Sequence, residues 1–156
     1  LPTFIQRGER QGKALRTAGF VEINLNHNPK RQTLVAVIST VDRNGRPRSA
    51  PIWFHWEDGA VYMFTDRSTL KWRNIQRYSY ASLCVDWREP PYKSIILDGA
   101  IEEVGRPLYE LVLSMALRYY GKEKGAEFAE EYKNKSENVA VFRLVPERVA
   151  NYLEAQ

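Results

Sequence analysis

Two dipeptides constrain this chain more than any other feature. Asn44-Gly45 and Asp58-Gly59 each separate runs of bulky, β-favouring residues, and Asn-Gly or Asp-Gly in that setting marks a tight antiparallel hairpin. The run before the first, TLVAVISTV from Thr33 to Val41, is nearly continuous in apolar and β-branched residues. That pattern predicts a strand covered on both faces. The return strand, Pro47 to Trp56, carries Pro51 in its interior. Proline cannot donate to a ladder, so one edge there is irregular, exposed or turned towards a ligand. The third run, Val61 to Thr65, follows the second turn. Three consecutive strands of this kind predict a meander.

Further strands are expected at Tyr80–Trp87, at Tyr92–Val104 and at Asn138–Val145, with a short one over Arg148–Leu153. Asp98-Gly99 interrupts the second of these and predicts a bulge or sharp bend. Helical spacing appears at Thr69–Arg77, where Ser68 or Thr69 can cap. It appears again after Pro107, in the apolar stripe Leu108, Leu111, Val112, Met115 and Tyr119 ending at Gly121. A more charged helix over Lys122–Lys133 is expected to join it as a lid on one barrel end, its charges forming a solvated face. Six or seven antiparallel strands with only edge helices predict a mainly β (α+β) chain closed into a small barrel. No GxGxxG loop or parallel crossover is present, which argues against a dinucleotide-binding fold.

The chain has 156 residues, 44% hydrophobic and 27% charged, enough for one domain with a core. Residues 32–156 read as that domain, and 1–31 as a peripheral N-terminal arm. No apolar run approaches the roughly 20 residues that span a bilayer, so no membrane association is expected. The opening LPTFIQRGER has no secretory hydrophobic core. A single cysteine, Cys84, permits no internal disulfide and suits a reducing cytoplasm; its apolar strand suggests a small core residue. His27 and His55 are far apart with no cysteine cluster, so no structural metal is expected. The net charge of +4 favours anionic ligands without arguing for nucleic acid.

The chemistry gathers where the third strand runs into the first helix. Thr65-Asp66-Arg67-Ser68-Thr69, followed by Lys71 and Arg73, offers hydroxyls, cations and helix N–H groups at one point. Such a junction can hold a phosphate. It can equally be a solvated basic helix with an ordinary cap. Lys71 favours the first, because a cation in the first helical turn gains nothing from the helix dipole.

The order PIWFHW, a DG turn, VYMFT, RSTLKWRNI, YASLCVDW, then a PPY-containing strand ending in DGAIEEV resembles the pyridoxamine 5′-phosphate oxidase-like split β-barrel family. It is most similar to the small members that bind FMN or the deazaflavin coenzyme F420. The resemblance covers Thr33 to Val104, with weaker support from VFRLVPERV. It implies a six- to seven-stranded antiparallel split β-barrel. It further implies that Ala50, Pro51, Ile52 and Trp53 line the tricyclic ring, and that Thr65, Arg67, Ser68 and Lys71 hold the ribityl phosphate. Relatives are homodimers with the cofactor between protomers, so Trp87 and Arg148–Tyr152 are expected to face the partner's cofactor. The C-terminal Arg-and-His substrate segment of pyridoxamine-phosphate oxidase itself is missing.

The implied activity is a flavin- or deazaflavin-dependent oxidoreductase acting on an unknown small molecule, with no catalytic acid identified. The alternative is a non-catalytic flavin or tetrapyrrole binder. A nucleic-acid-binding barrel using Trp53, Trp72 and Arg73 ranks last. The basic charge and the KWRN segment lean towards the deazaflavin, whose oligoglutamate tail is anionic. Trp53 is either a ring-covering residue or a plain core aromatic. On the first option, Trp53→Ala weakens flavin binding and leaves the fold intact.

Overall fold

A computed structural model describes residues 34–153; the expected arm at 1–31 lies outside them. Seven strands and three helices follow in the order β1 (Ala36–Val41), β2 (Pro47–Ile52), β3 (His55–Glu57), β4 (Ala60–Asp66), α1 (Leu70–Arg77), β5 (Tyr80–Trp87), β6 (Lys93–Glu103), α2 (Leu108–Tyr120), α3 (Lys122–Glu130) and β7 (Val139–Leu153). The strands form one antiparallel sheet in the order β2-β1-β5-β6-β7-β4-β3.

The edges of that sheet, β2 and β3, are neighbours in sequence, separated only by Trp53 and Phe54. Both run antiparallel to the strands that flank them, so they point the same way. They are one bent strand that changes partner at the corner. Its first half pairs with β1, from Ile52 opposite Ala36 to Pro47 opposite Val41. Its second half pairs with β4, His55 opposite Tyr62 and Glu57 opposite Ala60. The sheet therefore curls until its edges meet. The expected meander is corrected accordingly: the return strand serves two partners in succession instead of lying between them. Pro47 and Pro51 are tolerated because β2 is an edge.

Phe54 at the corner is fully buried, which contributes about 1.5–3 kcal/mol. It joins Ile38, Met63, Leu83, Leu97 and Phe142 inside the curl. Helix α1 closes one end: Trp72 and Ile75 enter the same core, and buried Asn74 donates to Thr40 Oγ1 at 3.1 Å. A second core lies on the outer face of β4 and β7, where Leu111, Val112 and Met115 of α2 pack with Val139, Val141, Tyr62 and Phe64. The α2–α3 pair thus covers an outer face and not a barrel end. The doubly covered strands are β4 and β7. β1 instead alternates between buried and half-buried residues, and none of the described helices lies over its outer face. Cys84 also faces outward, opposite Val37 and Ile96, and is half-buried instead of lying in the core.

The bulge expected at Asp98-Gly99 is present. Asp98 pairs with Arg148 and Gly99 with Pro146, which leaves Glu147 as the extra residue. A Cβ on Gly99 would stand 2.0 Å from the Val145 carbonyl oxygen, so the close approach of β6 to β7 requires glycine. Gly99→Ala is expected to lower stability by about 1–3 kcal/mol in urea unfolding. Gly105→Ala, with nothing within 4 Å of its added carbon, should stay within about 0.5 kcal/mol. Equal effects of the two would show that the bulge tolerates a side chain.

Candidate functional site

The partner change opens a cleft. Beyond the corner, β2 keeps only β1 as a neighbour, and Met63–Asp66 of β4 keep only β7. Two strand edges without a further ladder partner among the described residues face one another across the gap. The cleft holds about 340 Å³, within the ordinary range for small-molecule sites. One wall is Pro51, Ile52 and Trp53. The other is Phe64, Thr65 and Asp66, with Lys71 at its head. Phe128, Tyr132 and Lys135, from α3 and the turn after it, and Val139 complete the lining.

The aromatic wall is packed ring on ring. Trp53 stacks on Tyr119 with centroids 4.4 Å apart and planes within 7°. It meets Phe128 at 5.1 Å and the edge of Phe64 at 6.4 Å, while Tyr132 lies 5.4 Å from both Phe64 and Phe128. Two hydrogen bonds tie the wall to the corner: Arg118 donates to the Phe54 carbonyl, and the Tyr119 hydroxyl donates to the Leu34 carbonyl. Trp53 is therefore both cleft wall and packing anchor. Trp53→Ala removes the partner on which these rings close, so the expectation that it leaves the fold intact is checked by an unfolding curve beside the flavin titration.

At the head of the cleft the hydrogen bonds follow from proton count. Thr69, not Ser68, caps α1: its hydroxyl oxygen accepts from the Trp72 N–H at 3.4 Å. The Thr69 proton goes to the Asp66 carbonyl at 2.8 Å. The contact of 3.1 Å between the Thr65 and Thr69 hydroxyls must then be donated by Thr65. Ser68 is occupied by Asp66, its hydroxyl and N–H donating to Oδ1 at 2.7 and 2.8 Å. These bonds, the hydroxyl's first, and the nearby Lys135 charge hold the Asp66 carboxyl below the usual range. Arg67 pairs with Glu103 and lies over the Trp72 ring. Lys71 differs from all of these. It is half-buried, makes no ion pair among the described residues, and burial pushes its pKa below that of an ordinary lysine. Its charged form is thus disfavoured by folding, and Lys71's own contribution to stability rises with pH in the window just beneath the ordinary lysine value. A bound anion would oppose that shift.

Of the residues expected at the site, Pro51, Ile52, Trp53, Thr65 and Lys71 come together in the cleft. Arg67 and Ser68 line an adjoining hollow of about 580 Å³, which shares Asp66, Lys135 and Val139 with it. Ala50 is half-buried in β2 opposite Ile38, and Trp87 packs against the barrel core; neither lines the cleft. Arg148–Tyr152 belongs to β7, with Arg148 paired to Asp98 at 2.7 Å. Asp66, Phe128, Tyr132 and Lys135 are additions. The i, i+4 spacing of Phe128 and Tyr132 in a charged helix was the available signal. Trp72 is buried against Phe142, so its ring is not presented to stack on a base; Trp53 is half-buried, with Tyr119 stacked on its ring. His55 lies outside the cleft, its Nδ1 buried without a partner and its pKa lowered by burial and by Arg106 and Arg118. No cluster of metal-ligating side chains and no helix long and apolar enough to cross a membrane occurs among the described residues.

The family model described as pyridoxamine 5′-phosphate oxidase matches residues 23–152. A conserved hypothetical protein from Mycobacterium tuberculosis superposes with a TM-score of 0.69 at 18% identity, over 94% of this chain and 90% of that one. An F420 reductase gives 0.59 at 20% identity, over 74% and 88%. A heme storage protein from Vibrio cholerae gives 0.60 at 19% identity, over 76% and 85%. At these identities the similarity is one of fold. Among curated proteins, none matches the sequence.

Proposed function

The chain belongs to the pyridoxamine 5′-phosphate oxidase family, and we propose that it holds FMN or coenzyme F420 in the split between β2 and β4 and acts as an oxidoreductase on a small molecule. The observation that carries this is Lys71, a half-buried cation that makes no ion pair among the described residues, at the head of an aromatic-walled cleft. The bound flavin or deazaflavin supplies the hydride chemistry itself. Lys71 holds the phosphate, and Thr65 beside it can donate to the same anion only by turning its proton away from Thr69. Ile52 and Trp53 set the ring plane, and Phe128 and Tyr132 keep water from it. Asp66 is a poor proton donor because Ser68 and Lys135 hold it ionised.

A heme-binding role, suggested by the similarity to a heme storage protein, fits less well. Among the described residues, the cleft lining offers no His, Cys or Met to an iron. Tyr132 could supply an oxygen, but burial raises its pKa and disfavours the phenolate.

We further propose a homodimer, its contact on the outer sheet face. Pro51, Val37, Cys84, Ile96 and Ala150 stand opposite one another across five strands and form an unbroken weakly polar row, with none of the described helices over it. Pro51 also lines the cleft, so a partner on this row would reach the cofactor's rim. Light scattering should give about 36 kDa, twice the 18.1 kDa chain mass, and an 18 kDa species at micromolar concentration would refute the assembly.

Lys71→Ala removes a charge-assisted contact of about 1.5–3 kcal/mol, which is roughly ten- to a hundredfold in affinity. FMN binding should weaken by that factor in a fluorescence titration, while riboflavin, which has no phosphate, should bind as before. Equal losses for both, or no loss of FMN, would overturn the phosphate assignment.

A further inference from the structure

Among the described residues, the charges that line the cleft are three: Lys71, Lys135 and Asp66. Arg67, in the adjoining hollow, is already matched by Glu103, and Glu137 lies in that hollow and not in the cleft. Asp66 is held as a carboxylate, and a phosphate at the head of the cleft would share its neighbourhood. With Lys71 and Asp66 alone, that corner would carry no net charge and would have little to attract an anion. Lys135 alters the balance. It lines both hollows, its ammonium lies 5.1 Å from the Tyr132 ring, and its charge acts on Asp66. It makes no ion pair among the described residues, so its charge is available to the cleft. The turn that carries it is fixed from behind, because the Lys135 carbonyl accepts from the N–H groups of Asn138 and Val139, each at 3.0 Å.

We propose that Lys135 is the second cation of the phosphate site, and that it works by offsetting Asp66 so that the corner stays net positive. This rests on the reading of the cleft as a phosphate-bearing cofactor site and adds a residue from the opposite wall. Its consequence is that α1 and the turn after α3 grip the anion from two sides, so the aromatic residues of α3 are drawn over the ring by the same contact. Asp66 earns its place by shaping the loop: it accepts from both donor groups of Ser68 and so fixes the start of α1. Lys135 removes the electrostatic disadvantage of having a carboxylate there.

Three variants test this, read by FMN and riboflavin titration at low and high salt. Lys135→Met should weaken FMN binding roughly three- to tenfold at low ionic strength, with the loss shrinking in high salt because Lys135 is exposed. Riboflavin should be unaffected. Asp66→Asn keeps an acceptor for Ser68 and should tighten FMN binding by a similar factor. The double variant, Asp66→Asn with Lys135→Met, should return to within about twofold of wild type, a rescue that only the charge balance predicts. Wild-type FMN affinity in Lys135→Met, equal weakening of FMN and riboflavin, or a double variant as weak as Lys135→Met would each overturn the proposal. If Lys71→Ala discriminates FMN from riboflavin while Lys135→Met does not, only this inference fails. If the wild-type protein binds neither compound, the cofactor reading fails with it.

Discussion

The structure depends on a strand that changes partner at Trp53 and Phe54. An edge strand that stayed with β1 throughout would leave an open sheet with two exposed edges, which is an aggregation hazard. A strand shared evenly with both neighbours would close the barrel and leave no cleft. The corner gives a third outcome, closed below and open above. It is held by burial of the Phe54 ring inside the curl and by Arg118, which satisfies the Phe54 carbonyl where the ladder cannot. An unsatisfied buried carbonyl would cost about 1–3 kcal/mol, so the arginine from α2 is part of the corner and not an ornament on it. The same helix supplies Tyr119 to stack on Trp53. The outer helices therefore stabilise the bend that creates the site, and α3 and its turn then form the site's far wall.

The second determinant is the division of labour within α1. Of the KWRN segment, Trp72 and Asn74 are buried, one against Phe142 and the other bonded to Thr40. Two of its four residues thus anchor the helix to the barrel and are not available to an anionic tail. Lys71 is the residue of the four that lines the cleft. The inclination towards a deazaflavin rested on the basic charge and on this segment, whose two cations are placed differently: Lys71 lines the cleft and Arg73 is exposed.

Strand positions were legible because turn chemistry and β-branched runs are local. Tyr80–Trp87 appears as expected, and Gly99 marks the bulge for the steric reason that made it conspicuous. Pairing was not legible. PRSAPIWFHW reads as one continuous strand, and nothing in its composition states that its second half belongs to β4. Trp53 could not be divided between ring cover and packing anchor for the same reason, since its stacking partner is 66 residues away in a helix. The phosphate corner was partly legible: Thr65 and Lys71 lie within one strand-helix junction, whereas Lys135 comes from a turn with no recognisable pattern. Ser68 and Arg67 had the right chemistry but are engaged by Asp66 and Glu103, the second of which is far away in sequence.

The central claim is that the ligand sits between the two strand edges which the partner change leaves facing one another. Backbone amide exchange with and without FMN tests it most directly, because unpaired edge groups exchange readily until something covers them. The account predicts slowed exchange in three separated stretches at once: 48–53 on β2, 64–71 from β4 into α1, and 128–139 from α3 into β7. Protection absent from both strand edges while FMN is bound, or confined to the 42–46 hairpin, would place the ligand elsewhere and contradict it.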